Sequence, residues 1–473
     1  MFLIERDSNR KSQQKGTMQA ALSIGRSFAE LFVCENESVR FVKRFYMPSE
    51  SLSTHLKKTL DELENISQLT VSSRRLEKIF ATKLGGSVAQ VVTSGFQSWP
   101  VFRQPTHPRH FEISPSRFEP LASQDLIFGV TERIDSTGAV TQALAITELE
   151  FISQKLKMNG TKRICINFLH SNINSCHQEE ARKYFIEQGF QVFSRKRPTT
   201  SYDEMPSWRV NLLNACLAGS FEDLTSELQE VTTAPVYFLN GNGASFSNSS
   251  EEVASSLFAW AECLTRDLHF HSEILLLDLE NWSWISTKNR NSNWESPWGI
   301  VDLDHPQVKL LKVQPTDELQ IDFTGCLGFS NENLGYEPGP MSFGRGLKPL
   351  VFDALVAVTK QPTEQFADSL PQVNVNGQQK YLAMSGAWIK HHKALSDLTV
   401  EELNQEIASS VLDQIGLEVC LATTSRKILV TGFFANSMFS ILQKKFPHIE
   451  WMLDSQASTR LGSSLFECSR EKK

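Results

Sequence analysis

Hydrophobic positions along this chain fall into short buried runs separated by stretches of helical spacing. The runs AALSIGRSFAELFV (20–33) and RFVKRFYMP (40–48) are rich in strand-forming residues. They flank a polar cluster beginning at Cys34 and predict a pair of strands. LSTHLKKTLDELENI then takes helical spacing. Further on, RICINFLH (163–170), HQEEARKYFIEQG (177–189) and FQVFSRK read as strand, helix ending on Gly189, and strand. The helix before them, TELEFISQKLKMNG, opens with a capping-box pattern, Thr147 to Glu150, and stops at Gly160.

The second half repeats this logic. APVYFLNGNG (234–243) is a strand entering a Gly/Asn turn, and a helix with a second box, Ser249 to Glu252, follows. EILLLDLE is a buried strand. A third box, Thr399 to Glu402, opens a helix whose Leu403, Ile407, Val411, Leu412 and Ile415 share one face. KILVTGFFANSMFSILQKKFP reads as strand, turn at Gly432, and helix. Residues 285–345 read as loop-rich. Alternation of this kind places the chain in the α/β class.

Length and composition narrow the function. The 473 residues exceed one compact core and predict about two to four domains. The first 17 residues are polar and are expected to be a disordered tail. The formal net charge is -7 and no long basic run occurs, which argues against a nucleic-acid partner. No apolar run reaches the ~20 residues of a membrane helix, and no signal-peptide core is visible, so a cytoplasmic protein off the membrane is expected. Eight cysteines lack C-x-x-C spacing and are expected to be reduced and mostly buried.

LGYEPGPMSFGRG (334–346) followed by KPLVFDALVAV (348–358) resembles a Pro-Gly-Pro, Gly-Arg-Gly and Asp-Ala string of the hydantoinase A and oxoprolinase family. Gly339, Pro340, Phe343, Gly344, Arg345, Gly346, Asp353 and Ala354 fall in register. VVTSGFQSWPVFRQPTHP, the ERID of residues 132–135, CINFLHSNINSCHQEEARK, LNACL and FLNGNGA are similar to further family segments in the same order, over roughly residues 20–465.

The resemblance implies an α/β fold of two actin-like, ribonuclease H-like lobes of mixed sheet flanked by helices, with an inserted N-terminal subdomain. It divides the chain into 18–199, similar to the family's N-terminal region, and 200–473, similar to its ATPase region. It implies ATP-dependent hydrolysis of cyclic amide C–N bonds, with ATP and magnesium as cofactors if the ancestral site works. A second hydantoinase-type subunit or a second copy of the chain would be the partner. Carried over by position, Asp278, Asp353 and His170 are the candidate catalytic residues, with Asp278 also the candidate metal ligand. Gly25, Ser27, Gly432 and Asn436 are the candidate cofactor-binding residues.

The departures from the family pattern are as informative. Phosphate loops need glycines so that backbone N–H groups approach the ligand closely. In the first loop Ser23 replaces the leading Asp and Arg26 one glycine. Val71 and Lys78 replace a His and an Asn. In LLLDLENWSW (275–284) Asp278 survives, but Glu280 and Asn281 stand at two glycines, Trp282 at a threonine and Ile285 at the last Asp. Phe433 and Phe434 replace glycines of the adenosine loop. An unpaired Glu280 facing a phosphate would repel it by about 4 kcal/mol at intermediate dielectric. These changes open a second reading, a catalytically inactive binding or scaffolding subunit with no cofactor.

Several residues carry two readings each. Asp278 and Asp353 could face magnesium or cap a turn. His170, Cys176 and His177 could be metal ligands or buried groups satisfied by backbone. Glu132, Arg133 and Asp135 could belong to a site or to a local salt-bridged turn. The tryptophans 282, 284, 294 and 298 could line a ligand or partner surface, or fill the cleft.

Overall fold

The computed structural model describes residues 18–35, 38–46, 52–61, 66–74, 87–101, 123–194, 204–243, 245–246, 252–296, 299–322, 324–330, 339–344, 346–359, 375–423 and 425–470. The expected tail, Lys78, Ser249, Trp298 and Arg345 lie outside these residues.

Two mixed sheets carry the fold. The first runs β12 (Ser245–Phe246), β11 (Val236–Leu239), β4 (Ile66–Ser73), β1 (Met18–Ile24), β2 (Phe28–Glu35), β3 (Ser38–Tyr46). The other runs β17 (His305–Leu310), β14 (Trp282–Asn291), β13 (Glu273–Leu277), β20 (Lys427–Thr431), β21 (Glu450–Leu453). In each, an antiparallel three-strand meander is extended by two parallel strands. Thus β3-β2-β1-β4-β11 and β17-β14-β13-β20-β21 have the same order and directions. The two-lobe expectation is met as a duplicated topology.

Between β4 and β11 in the sequence lies a third sheet, wholly parallel: β10 (Gln191–Phe193), β9 (Arg163–Asn167), β5 (Val88–Thr93), β6 (Ile127–Val130). This is the expected insertion. Strands from both sides of residue 200 share the first mixed sheet, because β11 pairs with β4. Three short hairpins complete the strands: β7 (Arg133–Ile134) with β8 (Val140–Gln142), β15 (Trp294–Ser296) with β16 (Gly299–Val301), and β18 (Glu318–Ile321) with β19 (Leu327–Ser330).

An apolar cluster holding Ala21, Phe32, Ile274, Leu276, Leu429 and Leu465 joins the two mixed sheets. The helix Arg460–Arg470 packs there through Gly462, where an added Cβ would sit 2.3 Å from the Phe32 ring. No helix among the described residues is long and apolar enough to cross a membrane.

Several sequence expectations change on inspection. The run 20–33 is two strands, β1 and β2, because the Gly25 N–H closes a tight turn onto the Phe28 carbonyl at 2.7 Å. The helix expected to begin with a Thr147 box is Ile146–Met158, with no side-chain cap. Glu148 instead accepts from the N–H of Thr131 at 2.7 Å and from its hydroxyl at 2.9 Å. The helix after residue 249 breaks into Val253–Ser256 and Ala259–Asp267, and 285–345 holds more strand than expected. The Thr399 box is formed, and the apolar face behind it is buried. The cysteines are free thiols, five of the eight buried.

Candidate functional site

The two equivalent hairpins, β1–β2 and β13–β14, meet at their turns. The stretch 275–284 is a β-hairpin in which Leu277 pairs with Trp282 across the turn 278–281. Glu280, at that turn, is buried, and its carboxylate accepts from three consecutive backbone N–H groups of the first hairpin. They are those of Arg26 at 2.6 Å, Ser27, and Phe28 at 2.6 Å. Successive N–H groups converging on one point form an anion nest. Here the anion is a side chain of the same molecule, so the repulsion expected from an unpaired Glu280 does not arise. Burial pushes the Glu280 carboxyl upward, while Arg74 and the three N–H donors pull against that rise.

The tryptophans answer the question of what fills the cleft. Trp282 is fully buried, donates its indole N–H to the Asp278 carbonyl at 3.0 Å, and meets Phe434 edge to face at 6.1 Å. Trp284 is also buried and donates to Glu273 at 3.1 Å. Neither lines an open surface. Trp294, half-buried, packs on Phe258.

At the adenosine-loop position Gly432 has φ +101°, and an added Cβ would lie 2.7 Å from the Leu277 carbonyl, so glycine is required there. The N–H of Gly432 goes to Ala457, that of Phe434 to Leu277, and that of Ala435 back to Gly432. Asn436 is exposed on the helix Ala435–Lys445.

Asp278 survives as a cleft residue. With Glu30, Thr431, Gly432, Phe433 and Arg460 it lines a small cavity with a volume of about 10 Å³. That is room for about one water molecule. Glu30 pairs with Arg44 at 2.5 Å, and Arg44 lies over Phe433 at 5.1 Å. Burial first, and then the neighbouring Asp278, push the Glu30 carboxyl from 4.5 up to about 7, against the pull of Arg44 and Arg74.

The pH consequence has a definite sign. A carboxyl that holds its proton more tightly when folded stabilises the fold below its unfolded value near 4.5, and this contribution is lost as pH rises through about 7. Urea midpoints should therefore show wild type losing ground to Glu30→Gln between pH 5 and pH 8. A pH-independent gap would contradict the assignment.

ATP phosphates do not fit these loops as they stand. The three N–H donors of the first turn are occupied by Glu280, and those of the third are spent within the protein. Among the described residues no group of three or more His, Cys, Asp or Glu suited to a cation occurs.

The remaining candidates lie elsewhere. Asp353 is fully buried and accepts from the N–H groups of Met341 at 3.2 Å, Ser342 at 2.7 Å and Leu350 at 2.9 Å, so it takes the capping alternative. His170 follows β9 of the parallel sheet and does not join Asp278. It is the one non-glycine residue with positive φ (60°) among those described. Its N–H donates to Glu204 at 2.5 Å.

Sequence reasoning missed a buried relay at the C-terminal end of the same sheet. Thr93 ends β5 and donates its hydroxyl to Glu132, whose other oxygen lies 2.8 Å from His177 Nδ1. The ERID residues, read either as part of a site or as a local salt-bridged turn, go separate ways. Glu132 turns inward to His177, Arg133 lies over the Phe96 ring at 5.3 Å, and Asp135 accepts from Thr137 at 2.8 Å and Ala139 at 3.0 Å.

Residues 47–189, which include the parallel sheet, match the family described as Hydantoinase/oxoprolinase N-terminal region. The match takes in under a third of the chain. It is 38% identical over 72 residues to the acetophenone carboxylase gamma subunit of Aromatoleum aromaticum, covering 15% of this chain and 9% of that one. An uncharacterized protein of Methanocaldococcus jannaschii is 26% identical over 122 residues, covering 26% of this chain and 17% of that one. The matched stretches thus span less than a fifth of either relative.

In three dimensions the fold is shared with nucleotide-free acetone carboxylase (TM-score 0.72, 13% identity, 96% of this chain and 70% of that one). It is also shared with the ATP-dependent caprolactamase of Pseudomonas jessenii (TM-score 0.69, 15% identity, 94% and 70%). The hydantoinase/oxoprolinase resemblance and the α/β fold expected from it are both met.

Proposed function

We propose that this chain is a hydantoinase/oxoprolinase-type protein whose nucleotide cleft is closed, and that it acts as a binding or scaffolding subunit in the cytoplasm. The observation that carries the reading is the Glu280 carboxylate in the nest of residues 26–28. A phosphate entering there must displace three hydrogen bonds to a charged group, each contributing about 1.5–3 kcal/mol. A loss on the order of 5 kcal/mol is roughly 3–4 decades of affinity. Its partner would be a second hydantoinase-type chain or another copy of itself. The gamma-subunit relative supports a subunit role.

Retained Asp278 and Glu30 in the cavity favour one competing reading, an ATP- and magnesium-dependent hydrolase of cyclic amides with Asp278 holding the metal. In it Gly25, Ser27, Gly432 and Asn436 would contact the nucleotide, and Asp353 and His170 would assist from neighbouring segments. Calorimetry of the purified chain with magnesium–ATP separates the two. We expect no heat of binding up to millimolar nucleotide. Micromolar affinity abolished by Asp278→Ala would overturn the closed-cleft reading and direct attention to lactam and hydantoin substrates.

A further inference from the structure

We propose that Glu280 is a built-in oxyanion that latches the β13–β14 turn onto the β1–β2 turn, taking the place a bound phosphate group would hold between the two repeated sheets. The latch rests on the closed-cleft reading above and adds what keeps the cleft closed.

Three observations carry it. The donors are consecutive and the acceptor is a single carboxylate 252–254 positions away in sequence, so the contact ties two distant hairpins rather than one turn to itself. The hairpins occupy equivalent places in the duplicated sheets. Any separation at this end therefore breaks all three bonds together.

The approach is also shaped for a carboxylate. A Cβ on Gly25 would lie 2.1 Å from Glu280 Oε2, so glycine is what admits the side chain. Arg74 supplies the neighbouring positive charge. Its own N–H is tied to the Ile24 carbonyl at 2.7 Å and its guanidinium lies 5.1 Å from the Trp260 ring, so the charge is fixed beside the turn. Glutamate at a hairpin turn ordinarily extends into water; this one is buried with its charge matched by N–H dipoles. The turn at residues 25–28 is thus an oxyanion site whose ligand is tethered, and shortening that side chain should let a free oxyanion replace it.

Amide hydrogen exchange on the full chain tests the latch, with wild type, Glu280→Gln and Glu280→Ala each measured with and without inorganic phosphate. In wild type, the amides of Arg26, Ser27 and Phe28 should be protected and indifferent to phosphate. In Glu280→Ala their protection should fall about 100-fold, while β20 and β21 keep theirs. Phosphate should restore about tenfold or more of it. Glu280→Gln fills the same space without charge and should lose protection that phosphate does not restore.

Unchanged protection in Glu280→Ala, or a loss that phosphate leaves unaltered, would overturn the latch. If β20 also loses protection in Glu280→Ala, Glu280→Gln decides alone: full protection at residues 26–28 in that variant overturns the proposal. The calorimetry above uses wild type with nucleotide, whereas this experiment uses variants without it. Either proposal can therefore fail while the other stands.

Discussion

Trp282→Ala should destabilise the second mixed sheet by about 4 kcal/mol, the middle of the range for emptying a buried large aromatic position. The indole is wholly enclosed, it meets Phe434 edge to face, and it shares a cluster with Leu277, Leu311 and Phe352. Its N–H bond to the Asp278 carbonyl also fixes the turn that presents Glu280. Removing it opens a cavity and loosens that turn together. Trp282→Phe keeps most of the volume and should cost about half as much. Urea unfolding followed by circular dichroism gives both values. A loss below about 1 kcal/mol in Trp282→Ala would mean that the ring is a mobile lid over a ligand space rather than core.

That outcome bears on the proposed closed-cleft reading. Tryptophan and phenylalanine stand where the resembled pattern has threonine and glycine, and on the proposed reading they put packed interior where that pattern would hold phosphate. Packing alone would leave the N–H groups of residues 26–28 without acceptors, at about 1–3 kcal/mol each. Glu280 resolves that problem from the same hairpin that supplies Trp282. The two substitutions therefore act as one change: the aromatic ring fills the volume and the carboxylate satisfies the donors.

Local features of this arrangement were legible in the sequence. The strand ending at Asp278, the glycine at 432 and the Thr399 cap each depend on neighbouring residues, and each was read correctly. The departures in the phosphate loops were legible for the same reason. What Glu280 does was not, because its partners are main-chain N–H groups more than 250 residues away, and a backbone donor has no signature in side-chain identity. Reasoning from charge alone therefore made it a repulsive group, whereas the fold makes it a paired one.

Thr147 fails as a cap because the helix begins at Ile146 with Ala145 at the N-cap, which puts Thr147 inside it. Glu148 found the Thr131 N–H and hydroxyl across a tertiary contact, which local patterning cannot anticipate. The duplicated topology was hidden too, since the two sheets repeat in strand order while their sequences have diverged. It emerged from register and direction.

The relay in the parallel sheet gives the other large expected effect. Glu132→Ala should destabilise that unit by about 3–5 kcal/mol, the cost of stranding partners of a buried charge. The Glu132 side chain has no exposed surface. Its two oxygens serve the Thr93 hydroxyl and His177 Nδ1, and Thr93 in turn accepts the Leu169 N–H at 2.9 Å. The relay thus ties the end of β5, the loop after β6 and the segments following β9.

Glu132→Gln offers the control. Its carbonyl oxygen can still accept from Thr93, and its amide can face His177 in the other ring tautomer. It should cost only about 1–2 kcal/mol. Because the chain has several cooperative units, the readout is local: amide exchange protection in β5 and β9, with β20 as reference. Equal losses in the Ala and Gln variants would show that charge itself matters at Glu132. A small loss in both would show that water can take over the relay. The expected ordering, Ala well beyond Gln, identifies the glutamate as the acceptor that holds three strand ends together.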